Sequence, residues 1–180
     1  IRDRIGVDQS GLDIDALIRA EGGGRGVYIT PSHHYPLGHS LSIDRRLKLL
    51  AWAQREKAWI IEDDYDSEFN YDGLTRASLQ GLDQYQRTLY IGTFSKTLFP
   101  GLRIGFIIVP PQLIKPMVAA KQFQDGYTSA LPQMTLFKFI HEDFHTEHLR
   151  NMRKTYQARL EILHAAVHQH LGAWTCLLYT

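Results

Sequence analysis

Four short apolar runs most constrain what this chain can become: "GVYIT" at 26–30, "AWIIE" at 58–62, "TLYIGTF" at 88–94 and "LRIGFIIV" at 102–109. Each is rich in β-branched or aromatic residues and too short for a buried helix, so each reads as a strand buried on both faces. Helical patterns lie between and after them. Residues 13–20 form a short helix with acids at its start, broken by Gly22-Gly23-Gly24, and Ser10-Gly11 reads as the turn before it. Ser42 is placed to cap a helix reaching about Lys57, with Asp44 in its first turn and Leu47, Leu50, Ala51 and Ala53 as its apolar stripe. Pro110-Pro111 opens a helix to about Phe123, and Pro132 opens another to about His141. A last helix runs from about Thr146 to His170, with Leu149, Met152, Tyr156, Leu160, Leu163, Val167 and Leu171 along one face. This order predicts an α/β fold: a three-layer, mainly parallel sheet flanked by helices. Only a short loop joins 88–94 to 102–109, so these two strands are expected to be antiparallel neighbours.

In such sheets ligands gather at the carboxyl ends of the strands. Three strands here end in polar groups: "TPSHHYPLG", "EDDYDSEF" and "GTFSK". Lys96 in the last of these can simply reach solvent along its stem. Its neighbours suggest more. Thr93 and Ser95 offer hydroxyls, and Arg103 offers a fork that fits a phosphate. A desolvated lysine near other cationic groups becomes a nucleophile. Amine, hydroxyls and guanidinium together suit a phosphorylated aldehyde. Glu62, Asp63 and Asp64 read either as a solvated acidic turn or as the place where one carboxylate meets a cation. In the second reading Asp63 partners a protonated pyridine nitrogen, and Tyr65 reaches the ring's phenolic oxygen.

Composition limits the alternatives. The 180 residues carry 20 Lys+Arg against 19 Asp+Glu, a formal net charge of +1. That balance gives no electrostatic case for nucleic-acid or membrane binding by this segment. The single cysteine, Cys176, allows no internal disulfide and suits a reducing cytoplasm. No apolar run is long enough to span a bilayer as a helix. His141, His145 and His148 stand at i, i+4 and i+7, but "HEDFHTEH" reads as a helix junction, so no metal site is expected. His33, His34 and His39 read as loop histidines. Phe137, Phe139, Tyr156 and Trp174 read as core, and Arg150, Arg153, Lys154 and Arg159 as a solvated helix face.

"IIEDDYDSEFNYDG" followed by "GTFSKTLFPGLRIGF" resembles the fold type I, class I/II aminotransferases that use pyridoxal 5′-phosphate (PLP). More narrowly, "YITPSHHYPLG", "EDDYDSEF" and "HLRNMRKTYQARLEIL" resemble the aminotransferase-like domain of MocR-type (GabR-like) transcription regulators of the GntR superfamily. The likeness runs from about Val7 to Trp174. It implies that Lys96 holds the cofactor covalently, that Asp63 pairs with the pyridine nitrogen, that Tyr65 meets the phenolic oxygen, and that Thr93, Ser95 and Arg103 hold the phosphate. Aminotransferases carry an asparagine before the Pro-x-Gly turn, contacting the phenolic oxygen; Tyr35 takes that place here. The change agrees with the regulators and weighs against fast transamination.

The resemblance further implies a PLP-binding sensor acting as a homodimer, in which a small amine or amino acid displaces Lys96 and DNA is bound only through a separate N-terminal domain. The alternative is a free-standing class I/II aminotransferase passing an amino group from an amino acid to a 2-oxo acid. Residues 1–145 are read as part of the PLP-binding large domain. Residues 146–180 are read as an interdomain helix and the start of a small domain. The chain opens at Ile1 in mid-element and stops at "TCLLYT", six residues that do not match the family's small-domain strand, so it reads as a piece of a longer protein. The glycine-rich phosphate loop and the ring-stacking aromatic residue are then expected before Ile1, and the carboxylate-binding arginine after Thr180.

Overall fold

The computed structural model describes residues 4–20, 25–71 and 76–172. Two short strands, β1 (Val7–Asp8) and β2 (Gly11–Leu12), precede helix α1 (Ile14–Arg19). Then come β3 (Gly26–Ile29), α2 (Ile43–Arg55), β4 (Trp59–Asp64), α3 (Leu79–Leu82), β5 (Thr88–Thr93) and β6 (Gly105–Ile108). Helices α4 (Pro111–Asp125), α5 (Ala130–His141) and α6 (Phe144–Leu171) complete the order, and 3-10 turns occupy Ser67–Phe69 and Pro100–Leu102. The strands β3, β4, β5 and β6 lie side by side in that order. The first three are parallel, and β6 runs antiparallel to β5, as the short connecting loop requires.

Several local readings are corrected. The turn before α1 is centred on Gln9-Ser10, one residue earlier than expected: Gly11, at φ +91, closes it by pairing with Asp8 in a two-residue antiparallel ladder, and a Cβ there would meet the Leu41 backbone at 2.8 Å. The last strand begins at Gly105 rather than 102, because Arg103 takes a left-handed conformation at φ 51 after the 3-10 turn. β4 runs on to Asp64, so the acidic triplet belongs to the strand and is no solvated turn. On α2 the buried face is Arg46, Leu49, Leu50, Trp52 and Ala53, while Leu47 and Ala51 are exposed. The Gly22–Gly24 break, Trp174, Cys176 and the closing six residues lie outside the described residues.

The chain divides into two compact units, Ile1–Ser67 with Thr75–Tyr127, and Glu68–Leu74 with Thr128–Thr180. In the first unit, Leu49, Leu50, Trp52 and Ala53 of α2 pack with Ile29, Ala58, Ile60, Leu41 and Leu79. Ser42 caps α2 as its sequence position predicts, and Asp13, read as the first residue of the helix, is instead the N-cap of α1. Gly92 lies opposite Phe106 across the β5–β6 pair, and a Cβ there would collide with the Phe106 ring. That ring instead covers the bare strand between Tyr90 and Phe94, at centroid distances of 6.1 and 5.5 Å.

Asp83 organises the entry to β5, accepting from the backbone N–H groups of Tyr85, Arg87 and Thr88 at 2.8, 2.7 and 2.8 Å. Asp83→Ala is expected to cost about 2 kcal/mol, since it orphans three backbone donors, and the urea midpoint will read it.

In the second unit, α6 presents Leu149, Met152, Tyr156, Leu160 and Val167 as a half-buried stripe. Tyr156 meets Phe69 edge-on at 5.0 Å, and Arg153 Nε donates to the Glu68 carbonyl at 2.6 Å. The "HEDFHTEH" segment is a junction: α5 ends at His141 and α6 begins at Phe144, with Asp143 at φ 60 between them. His145 and His148 pack edge-on against Phe139. Phe137 is not core; it is 67% exposed and stacks on His141. Among the described residues no helix is long and apolar enough to cross a membrane.

Candidate functional site

The pleat of β4 sorts its three acids. Side chains alternate between faces along a strand, and here Glu62 and Asp64 are buried while Asp63 is only half-buried. Glu62 accepts from the Leu79 and Gln80 N–H groups, both at 2.8 Å, and lies 3.9 Å from the Arg46 guanidinium. Asp64 accepts from the Ser67 hydroxyl at 2.7 Å and the Tyr90 hydroxyl at 2.8 Å. Burial pushes Glu62 up and Arg46 down, against the backbone donors and the mutual attraction that favour their charged forms. Two of the three acids thus serve the scaffold.

Asp63 faces a cavity of about 710 Å³, whose walls include Tyr28 and Ile29 of β3, Thr30, Tyr35, Tyr65 and Lys96. Tyr28 donates its hydroxyl hydrogen to Asp63 Oδ2. Desolvation, then that bond and the Asp63 charge, pushes the Tyr28 phenol up to about 12. Tyr65 is also pushed up to about 12, by desolvation and then by the charges of Asp66 and Asp63, and it donates to the His33 carbonyl at 2.9 Å. Both phenols therefore remain neutral donors at neutral pH.

The loop after β3 is held tightly. Tyr35 N–H donates to Thr30 Oγ1 at 3.1 Å, His34 N–H to the His39 carbonyl at 2.8 Å, and Gly38 N–H to the His34 carbonyl at 2.7 Å. The Tyr35–Pro36 peptide is cis. Buried His33 pairs through Nδ1 with Asp66 Oδ1 at 2.8 Å, tying this loop to the one after β4.

Of the residues singled out from the sequence, Lys96, Asp63, Tyr65 and Tyr35 line one cavity. Thr93, Ser95 and Arg103 do not line it. Thr93 Oγ1 accepts from the Ser95 N–H at 3.1 Å at the end of β5, and Arg103 stands exposed after the 3-10 turn. Lys96 is exposed rather than desolvated. Sequence reasoning missed Tyr28, although strand alternation places it on the same face as Thr30. It also missed the His33–Asp66 pair, for which no local pattern exists.

This donor set fits PLP in three of its four requirements: an amine, a carboxylate and phenols share one cavity. The fourth, the anion cradle, is not assembled around that cavity. His34 Nδ1, on the cavity wall, is buried and has no hydrogen-bond partner among the described residues, a place a bound molecule could satisfy.

Comparison with known proteins agrees. Residues 4–179 match the family aminotransferase class I and II. The probable rhizopine catabolism regulatory protein MocR of Rhizobium meliloti is 45% identical over 148 residues, covering 82% of this chain and 30% of that protein. The uncharacterized HTH-type transcriptional regulator YhdI of Bacillus subtilis is 44% identical over 146 residues, covering 81% and 31%. A solved structure, Pyrococcus horikoshii kynurenine aminotransferase in complex with PMP, superposes with a TM-score of 0.85 at 30% identity, covering 91% of this chain and 42% of that one. The chain thus spans about three-tenths of the length of these curated relatives. Its mixed, mostly parallel sheet with flanking helices is part of the fold type I architecture. A strand-end cavity holding Lys96 and Asp63, inside a match that runs from residue 4 to residue 179, makes this chain a member of the class I and II aminotransferase family.

Proposed function

We propose that this chain is part of a PLP-binding sensor domain of a MocR-type transcription regulator, acting in the cytoplasm as a homodimer. The observation that carries the reading is the shared cavity of Lys96 and Asp63 in a chain 45% identical to a MocR regulator. Bound PLP supplies a carbonyl carbon for amine exchange and a ring that draws off electrons when its nitrogen is protonated. Lys96 Nζ would hold that carbon, Asp63 would keep the ring nitrogen charged, and Tyr65 and Tyr35 would address the phenolic oxygen. Thr93, Ser95 and Arg103 stand outside the cavity wall, and they would hold the phosphate only once the Lys96 loop closes on it. Release of Lys96 by an incoming small amine or amino acid is then the switch, passed to DNA through a separate domain. Tyr35 in the asparagine's place supports a sensor over a fast catalyst. Residues 146–180 would lead from the large domain into a small one.

The test uses the full-length protein. Operator affinity is measured with and without PLP and with a panel of amines, beside turnover of amino donors with 2-oxo acids. Operator affinity is expected to shift by about tenfold with the effective amine, with turnover near background. Rapid turnover with indifferent DNA binding would instead mark a free-standing aminotransferase.

A further inference from the structure

Asp63 is held from one side. In the parallel pairing of β3 with β4, Tyr28 stands beside Ile61 and Ile29 beside Glu62. Asp63 therefore lies two positions ahead of Tyr28's neighbour on the same face, within diagonal reach of a long side chain. On the other side, β5 sets Ile91 beside Asp63, which offers no side-chain donor. Thr30, nearer in register, accepts from the Tyr35 N–H through Oγ1, and the side-chain donor to Asp63 among the described residues is Tyr28. Tyr28 leans forward along the sheet, and its hydroxyl meets Asp63 Oδ2 at the cavity wall.

We propose that Tyr28 is a positioning residue for the cofactor: its phenol fixes the Asp63 carboxylate through Oδ2, so that Oδ1 is presented to the cationic ring nitrogen. The role rests on the reading that this cavity takes PLP. A carboxylate on a single methylene otherwise turns freely about its last bond, and fixing it removes an ordering cost at binding. The phenol's high pKa keeps it a donor throughout the neutral range.

The full-length protein is compared with Tyr28→Phe, Asp63→Asn and the double variant. PLP affinity, read by spectroscopic titration, is expected to fall roughly tenfold in Tyr28→Phe and to show no further loss when Asp63→Asn is already present. A second readout needs no cofactor. Ultraviolet titration of the apo-protein should lose one late-ionising phenol in Tyr28→Phe, and in Asp63→Asn that phenol should move down toward its ordinary range. Equal losses of affinity in both backgrounds, or none in either, overturn the role. A wild-type protein that binds no PLP overturns the cofactor reading and this role with it, while the phenol titration still reports whether the Tyr28–Asp63 bond exists.

Discussion

Lys96→Ala in the full-length protein is expected to abolish covalent PLP attachment altogether. After hydride reduction, intact mass should show one cofactor adduct per wild-type chain and none in the variant, and the visible band should disappear with it. The reason is chemical: only an amine condenses with the aldehyde, and Lys96 is the lysine on the cavity wall. Lys96→Arg separates charge from nucleophilicity. It keeps a cation on the cavity wall for an anionic cofactor but stays protonated at any working pH, so it should lose the adduct as completely while retaining more of the non-covalent affinity. An adduct persisting on another lysine in Lys96→Ala would defeat the assignment of this residue.

The second large effect is on stability. Arg46→Leu should destabilise the protein by about 3–5 kcal/mol, a large part of an ordinary domain's margin. Arg46 is only 2% exposed and reaches three carbonyls: Leu41 at 3.0 Å through Nε, Ala77 at 3.1 Å through Nη1, and Pro31 at 2.8 Å through Nη2. Its Nη1 also lies 3.9 Å from the fully buried Glu62 carboxylate. Leucine would bury well but remove a donor from all three carbonyls and the cation beside Glu62, leaving Pro31 its bond from the Leu41 N–H and Glu62 its two backbone donors. Arg46→Lys should fall between, because one ammonium cannot span three carbonyls. Urea midpoints at constant slope will rank the three proteins. An unchanged midpoint in Arg46→Leu would mean the network contributes nothing. The Pro31 and Leu41 carbonyls bracket the loop that carries Tyr35, so cofactor affinity should weaken alongside stability.

These effects also mark where sequence reading succeeds. Through their continuous apolar runs β3, β4 and β5 were legible as parallel strands, as was the antiparallel turn-back of β6, but the expected burial on both faces fails for β6, exposed throughout, and for most of β3. Lys96 and Asp63 were legible because ligands collect where such strands end. Arg46 was not: an arginine in an amphipathic helix reads as solvent-facing, and only the carbonyls of Pro31, Leu41 and Ala77, distant in sequence, make it an interior residue. Its inward position also turned Leu47 to the surface. Tyr28 and His33 escaped for the same reason, since their partners Asp63 and Asp66 lie more than thirty residues away.

The alternating acids of β4 set a rule for how such a chain can change length. Were one residue removed between 59 and 61, Asp64 would inherit the cavity position and still offer an aspartate there. Asp63, one methylene shorter than glutamate, would inherit the place that caps Leu79 and Gln80, and Tyr65 would be driven into the slot beside Ser67 and Tyr90. The ligand-facing chemistry would survive the deletion while the scaffold behind it failed, which confines tolerable insertions and deletions to the connections on either side of this strand.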